Sequence, residues 1–350
     1  MRVWFDLLTP KQVLFFAPVI EELRSYGAEV LSTSRRYREV GPLAERAGLD
    51  LRYVGERGTR GPEDQLLAAT RRQAEMIPIV QEFRPKVAVS IASAVCARVA
   101  FGLGIKHIAV NDSPHSEVAG RLSIPLSHHL MCPWVIPYKA WAKFGISREQ
   151  VTTYHALDPA AWLKRKPLSG PVPRLDSRKK TITVRVQESD APYLSRADMS
   201  WTDKLLGALL DAFPETNIVA LCRYDFQVDE VKSKFGSKCL VPDEVVSGHD
   251  LLAATDLFVG MGGTMNAEAA LMGVPTISAF QGTLYTDRYL EKVGLLEKAF
   301  TTSVLVSHAR RFLAEGHKVG YSKKSKRVLD GMEDPVPKIA GFVEKTAKQA

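Results

Sequence analysis

Along the whole chain, short β-rich apolar runs alternate with longer stretches in which apolar residues recur every three or four positions. The first pattern suits strands and the second suits helices with one buried face. Residues 3–8 read as a strand, and 12–26 as a helix stopped by Gly27. Strands at 28–34 and 49–55 enclose a helix at 36–47, and a helix at 62–83 follows. The near-continuous apolar runs 86–92 and 105–111 are expected to be parallel strands covered on both faces, with a helix at 93–103 between them. A strand at 128–132 and a short helix at 138–144 complete this half.

The alternation breaks where Pro159, Pro167, Pro171 and Pro173 stand among many cations, a composition typical of linkers. It resumes with strands at 181–186, 217–222, 238–241 and 256–260, and helices at 198–213, 228–235 and 247–254. Weaker helical patterns at 308–315 and 335–348 flank a basic run, 318–327, that is expected to be exposed. Repeated strand–helix–strand order implies parallel sheets joined by right-handed crossovers. The expected fold class is α/β, with two doubly wound, Rossmann-like domains facing across a cleft. The expected boundaries are 1–160 for the first domain, 161–180 for a linker and 181–330 for the second domain. Residues 331–350 are expected to form a C-terminal helix able to cross back to the first domain.

Composition agrees with two cores. The chain has 350 residues, 45% hydrophobic and 25% charged, which exceeds the usual size of a single core. No apolar run approaches the ~20 residues that span a bilayer, and Asp6 interrupts the first apolar stretch, so a cytoplasmic location is expected. Cys96, Cys132, Cys222 and Cys239 have no C-x-x-C spacing and read as small buried hydrophobes. His128 and His129 are adjacent, so in a strand they point to opposite faces and cannot share a metal. The net charge is +8, and residues 121–180 alone hold eleven Lys or Arg against three acids. With Trp134, Tyr138 and Trp141 in the same stretch, it can dock on an anionic membrane or attract phosphates. A solvated helix face joined to a basic linker would read the same way. The charge also permits nucleic acid, but no recognition motif supports it and none is expected as a partner.

The most informative stretch is 255–280, TDLFVGMGGTMNAEAALMGVPTISAF. A buried strand ends at Gly260, and Gly262 and Gly263 make a turn where backbone can approach a ligand. Thr264 is placed to cap a helix at 265–272, closed by Gly273. Glycines before a helix N-terminus present N–H groups and a positive dipole end, which suits a phosphate or diphosphate. Met265 opens the helix, and Glu268 lies one turn in, where a carboxylate can accept hydrogen bonds from ribose hydroxyls.

The string G-G-T-x-x-x-E-A-x-x-x-G-V-P resembles the donor-site motif of the glycosyltransferase-B superfamily. That superfamily includes UDP-N-acetylglucosamine 2-epimerase and the N-acetylglucosaminyltransferase that makes lipid II. The stretch around Val241 and Asp250 resembles the part of those proteins that holds the base, and Gln281 and Asp287 fall where they place groups for sugar hydroxyls. Lys11 lies in a stretch, Thr9-Pro10-Lys11-Gln12, similar to the first loop of the epimerase. The overall pattern is similar to an archaeal family of unknown function with this fold. The resemblance implies a nucleotide-diphosphate sugar as substrate, UDP being the expected nucleotide, and no metal or other cofactor.

The epimerase carries a histidine at the end of the first strand of its second domain, where this chain reads Thr183-Val184-Arg185-Val186-Gln187-Glu188. Epimerisation needs a placed base and acid, so transfer of the sugar to an acceptor is the expected reaction. The acceptor is open and can be lipid-linked. The alternatives are an epimerase or hydrolase of nucleotide sugars, and a binding protein without catalysis. Arg185 and Arg223 end strands at the expected ligand edge and can neutralise a diphosphate. Asp112 and His115 follow a buried strand and are the candidate bases. A turn with surface side chains is the other reading of Asn111-Asp112-Ser113-Pro114-His115.

Overall fold

The structure is a computed structural model that describes residues 1–36, 39–59, 61–187 and 199–350. The chain divides into two compact units, Met1–Arg165 with Glu333–Ala350, and Lys166–Met332. Unit 1 runs β1 (Arg2–Asp6), α1 (Pro10–Ser25), β2 (Glu29–Ser34), α2 (Val40–Arg46), β3 (Arg52–Tyr53), α3 (Pro62–Phe83) and β4 (Val87–Ser90). It continues with α4 (Ala94–Gly102), β5 (Lys106–Val110), α5 (Glu117–Ser123), β6 (His129–Pro133), α6 (Lys139–Ala142), β7 (Val151–Tyr154) and α7 (Ala160–Leu163). Unit 2 runs β8 (Thr181–Arg185), α8 (Ser200–Ala212), β9 (Asn217–Leu221), α9 (Asp225–Phe235), α10 (Gly248–Ala253), β10 (Leu257–Gly260) and α11 (Thr264–Leu271). It closes with β11 (Thr276–Ser278), α12 (Tyr285–Lys292), β12 (Glu297–Lys298), α13 (Thr302–Phe312) and α14 (His317–Asp330). The last helix, α15 (Pro335–Lys348), packs on α1 and α7 in unit 1.

Both sheets are parallel. Unit 1 has the strand order β3-β2-β1-β4-β5-β6-β7, and unit 2 the order β12-β11-β10-β8-β9. Each is doubly wound, and each reverses direction once, between β1 and β4 in unit 1 and between β8 and β10 in unit 2. Such switch points open a crevice outside the carboxyl ends of the strands, where ligands bind in open α/β sheets.

The inner strands are apolar on both faces because helices cover both. Phe5 of β1 meets Phe16 of α1 edge to face, with centroids 5.2 Å apart. Each such side chain removed from water contributes about 1.5–3 kcal/mol. Within the basic, aromatic stretch Trp141 is fully buried and Trp162 is 9% exposed, so these two rings belong to the core of unit 1, while Trp134 and Tyr138 are half-buried. Among the described residues, no helix is long and apolar enough to cross a membrane.

Two further expectations change. Residues 161–163 are helical in α7, and residues 166–180, expected as linker, run along unit 2. Gly170 N–H donates to Asp250 Oδ2 at 2.8 Å, and Ser247 N–H donates to the Pro171 carbonyl at 2.7 Å. Prolines cannot donate, but their carbonyls accept, so this extended stretch is held both by the Gly170 N–H and by the Pro171 oxygen. The expected strand at 238–241 shrinks to one parallel bridge, Leu240 to Val219. The basic run 318–327 lies within α14 and most of its cations are exposed, as expected; the buried positions of the helix are Tyr321 and Ser325, one turn apart. Ser325 donates to the carbonyls of Ala270 and Leu271 at 2.8 and 2.6 Å. A helix anchored through a serine hydroxyl shows little apolar periodicity.

Candidate functional site

In unit 2 the switch point is built from Arg185 and a glycine turn. Arg185 ends β8 and lies in register with Gly260, the last residue of β10. Gly260 is required there, because a Cβ would meet the Asn266 side chain at 1.8 Å. Gly262 and Gly263 follow with φ of 88° and 89°, a region that L side chains rarely adopt. The helix cap is Gly263, with ψ −178°, and Thr264 is the first helical residue. The capping role expected of Thr264 is therefore not made: the extended glycine replaces it, and no side-chain hydrogen bond caps α11. Its first backbone N–H groups and its positive dipole end open directly at the switch point.

Neighbouring edges carry the remaining candidates. Arg223 follows β9, and its backbone N–H donates to Gln227 Oε1 at 3.0 Å. Val241 packs against the main core of unit 2, and Met265 against Leu251, Leu221 and Val219. Glu268 is only 7% exposed on α11. Gln281 follows β11 and is exposed, its amide 3.4 Å from the Ala279 carbonyl. The fold thus brings Arg185, Arg223, Gly262, Gly263, Thr264, Met265 and Gln281 to one edge of one sheet. Asp287 departs from the role expected of it. It is 1% exposed and accepts from Ser278 Oγ at 2.8 Å, tying α12 to β11. Burial raises its pKa, and its contact with Ser278 opposes the shift. A carboxyl enclosed in this way braces the fold and does not face a sugar. Glu188 and Asp190, possible partners of the arginines, lie outside the described residues.

Lys11, Asp112 and His115 belong to unit 1. Lys11 Nζ at the start of α1 lies 2.6 Å from Asp112 Oδ2 and 2.8 Å from Asp158 Oδ2. Asp112 also accepts from Ser113 Oγ at 2.7 Å, and Asp158 from the Tyr154 hydroxyl at 2.6 Å. Burial opposes the charge of Lys11, but the two carboxylates outweigh it and raise its pKa. Its charge is thereby paired with two carboxylates within unit 1. Burial raises the Asp112 pKa, but Lys11 more than reverses this and leaves the carboxyl ionised at neutral pH. Asp158 is pushed up to about 6, first by burial and then by Asp112, with Lys11 pulling against both. Burial also lowers the His115 pKa, with Asp112 opposing. His115 is therefore neutral near pH 7 and able to accept a proton. Sequence reasoning missed Asp158, which it placed in a basic stretch at the edge of a linker; only its contact with Lys11 marks it.

At the unit 1 switch point, by contrast, Asp6 ends β1 in register with Ser90 of β4. Asp6 is fully buried and takes Arg72 at 2.6 and 3.1 Å, Ser93 Oγ at 2.6 Å and Thr33 Oγ1 at 2.8 Å. Burial alone would raise its pKa, and these donors, Arg72 foremost, lower it instead. Among the described residues, no group of three His, Cys, Asp or Glu is placed to hold a metal ion.

Two parallel-sheet α/β domains are the fold that this chain shares with structures of the glycosyltransferase-B type. Residues 1–348 match the family described as "Protein of unknown function (DUF354)", and the chain belongs to that family. It is 28% identical over 305 residues to the uncharacterized protein MJ0665 of Methanocaldococcus jannaschii, covering 83% of this chain and 85% of that protein. Its fold is similar to the UDP-GlcNAc 2-epimerase of Neisseria meningitidis bound to UDP-GlcNAc. That match has a TM-score of 0.74 at 12% identity and covers 100% of both chains. It is also similar to the glycosyltransferase of kitacinnamycin, with a TM-score of 0.66 at 14% identity and 99% of both chains covered.

Proposed function

We propose that the protein binds a nucleotide-diphosphate sugar, UDP-linked, on unit 2 and transfers the sugar to an acceptor without a metal. The observation that carries this reading is the turn Gly262–Gly263, which leaves α11 without a side-chain cap beside Arg185. Backbone N–H groups, a helix dipole and a guanidinium are the combination that stabilises a diphosphate as its negative charge grows. Glu268 holds the ribose, Val241 and Met265 flank the base, and Arg223 and Gln281 complete the donor site. The acceptor binds on unit 1, where His115, neutral at physiological pH, takes the proton of its hydroxyl.

The neighbour bound to UDP-GlcNAc is an epimerase, so epimerisation or hydrolysis is the second reading. Transfer is favoured because no histidine stands among residues 181–187, at the end of β8. Titration calorimetry with UDP, dTDP, GDP and UDP-N-acetylglucosamine tests the donor site. UDP ligands should bind, and Glu268→Ala should weaken them by about 1.5–3 kcal/mol through loss of a charge-assisted hydrogen bond. Unchanged affinity in a folded variant removes Glu268 from the site. No binding of any nucleotide overturns the reading as a whole.

A further inference from the structure

The Lys11 cluster holds two carboxylates against one ammonium, in steps of decreasing exposure. The side chains are 19% exposed for Lys11, 10% for Asp112 and 1% for Asp158. Asp112 follows β5 at the carboxyl edge of the sheet, the edge at which ligands meet doubly wound folds. Asp158 lies behind it, and Lys11 bridges the two at hydrogen-bonding distance on both sides. With Lys11 charged and both carboxylates ionised, the cluster carries one uncompensated negative charge in a buried setting. Such a charge is costly unless a proton or another cation neutralises it. An anionic group would be repelled, whereas a hydroxyl able to release a proton would be drawn in.

From this geometry we propose that Asp112, Lys11 and Asp158 form one proton-accepting relay for a hydroxyl-bearing ligand at the edge of unit 1. Asp112 takes the proton from the ligand oxygen. Lys11 passes one of its own protons to Asp158 and receives the proton from Asp112, returning to the ammonium form. The ligand oxygen keeps its electron pair as a nucleophile, and the cluster ends neutral with the added proton on Asp158. Asp158 does not touch the ligand and is a positioning residue that acts through Lys11. The inference deepens the proposed transfer reaction, since it supplies a proton acceptor alongside or in place of His115.

The groups that face Asp158 are Lys11 from α1, Asp112 after β5, Tyr154 from β7 and Cys132 from β6. Asp158 has a pKa of about 6, so it is empty at neutral pH and ready to fill. Cys132, pushed up to about 12 mainly by burial, stays a thiol throughout.

Carboxyl spectra of the full chain labelled with 13C-aspartate, recorded between pH 4 and 8, test the relay directly. One aspartate should titrate near pH 6 and vanish in Asp158→Asn. It should move to lower pH in Asp112→Asn, which removes a like charge, and to higher pH in Tyr154→Phe, which removes a donor. A second experiment follows UDP release from UDP-N-acetylglucosamine, with water as acceptor. The rate should fall below pH 6 in the native protein. In Asp158→Asn it should be at least tenfold lower at pH 7.5, without the acid limb and with UDP binding unchanged. No aspartate titrating between pH 5 and 7, or an acid limb that persists in Asp158→Asn, overturns the relay. Failure to bind UDP-N-acetylglucosamine overturns the proposed function instead, and the carboxyl spectra then decide the relay alone.

Discussion

The two sheets reverse at equivalent places and treat those places in opposite ways. In unit 1, the register pair at the end of the switch strands is Asp6 and Ser90; in unit 2 it is Arg185 and Gly260. Asp6 is enclosed by Arg72, Ser93 and Thr33, so every charge there is answered from within the protein. At Gly260 the chain continues into two left-handed glycines and a helix start that no side chain caps. The contrast separates a switch point closed by its own side chains from one whose helix start has no side-chain cap. Topology supplies a crevice in both cases, and the side chains at the strand ends decide whether a ligand can use it.

The strongest way to break this comparison is to open the closed site. Arg72→Ala leaves the buried Asp6 carboxylate without its partner and should destabilise the protein by about 3–5 kcal/mol in urea unfolding. Arg185→Ala should cost less, about 1 kcal/mol or under, since Arg185 is only half-buried at the end of β8. Equal losses at the two positions would show that Arg185 is also a brace and not a ligand group.

Next in size is Gly263→Ala. Nothing lies within 4 Å of an added Cβ, so the cost comes from φ 89° and ψ −178°, a combination essentially confined to glycine. It should reach about 1–3 kcal/mol. Nucleotide affinity should fall as well, because relief of the strain turns the α11 N–H groups away. A variant of native stability and native affinity would show that the turn can be remade without glycine.

The smallest effect sharpens the contrast within unit 1. Asp158 has its pKa raised in the folded state to about 6, above the ordinary value of 3.8. Folding therefore takes up a proton between those values, and the resulting stability is present below pH 3.8 and lost as pH rises through 6. The loss between pH 5 and 7.5 should be on the order of 1 kcal/mol and absent from Asp158→Asn. Asp6 and Asp112 have lowered values and behave oppositely, their stability being lost only as pH falls through their folded pKa. Thermal midpoints of both proteins between pH 5 and 7.5 isolate Asp158. Parallel curves would mean that Asp158 titrates normally.

The sequence by itself determined the alternation of strands and helices, the division into two α/β halves and the glycine turn before α11. These are local properties. Strand and helix periodicity can be read within a dozen residues, and Gly260, Gly262 and Gly263 announce a close approach whatever surrounds them. What escaped it depended on partners distant in the chain. Asp287 read as a sugar ligand through the resemblance to glycosyltransferase-B proteins; only packing against Ser278 shows it enclosed. Trp141 stands in a basic, aromatic stretch able to meet a membrane, yet the fold turns its ring inward and leaves Lys139 and Lys143 outside. Asp158 became notable only when tertiary structure brought it to Lys11, far away in sequence. Burial, charge pairing and pKa are set by what surrounds a side chain in three dimensions, and spacing along the chain carries no record of those neighbours.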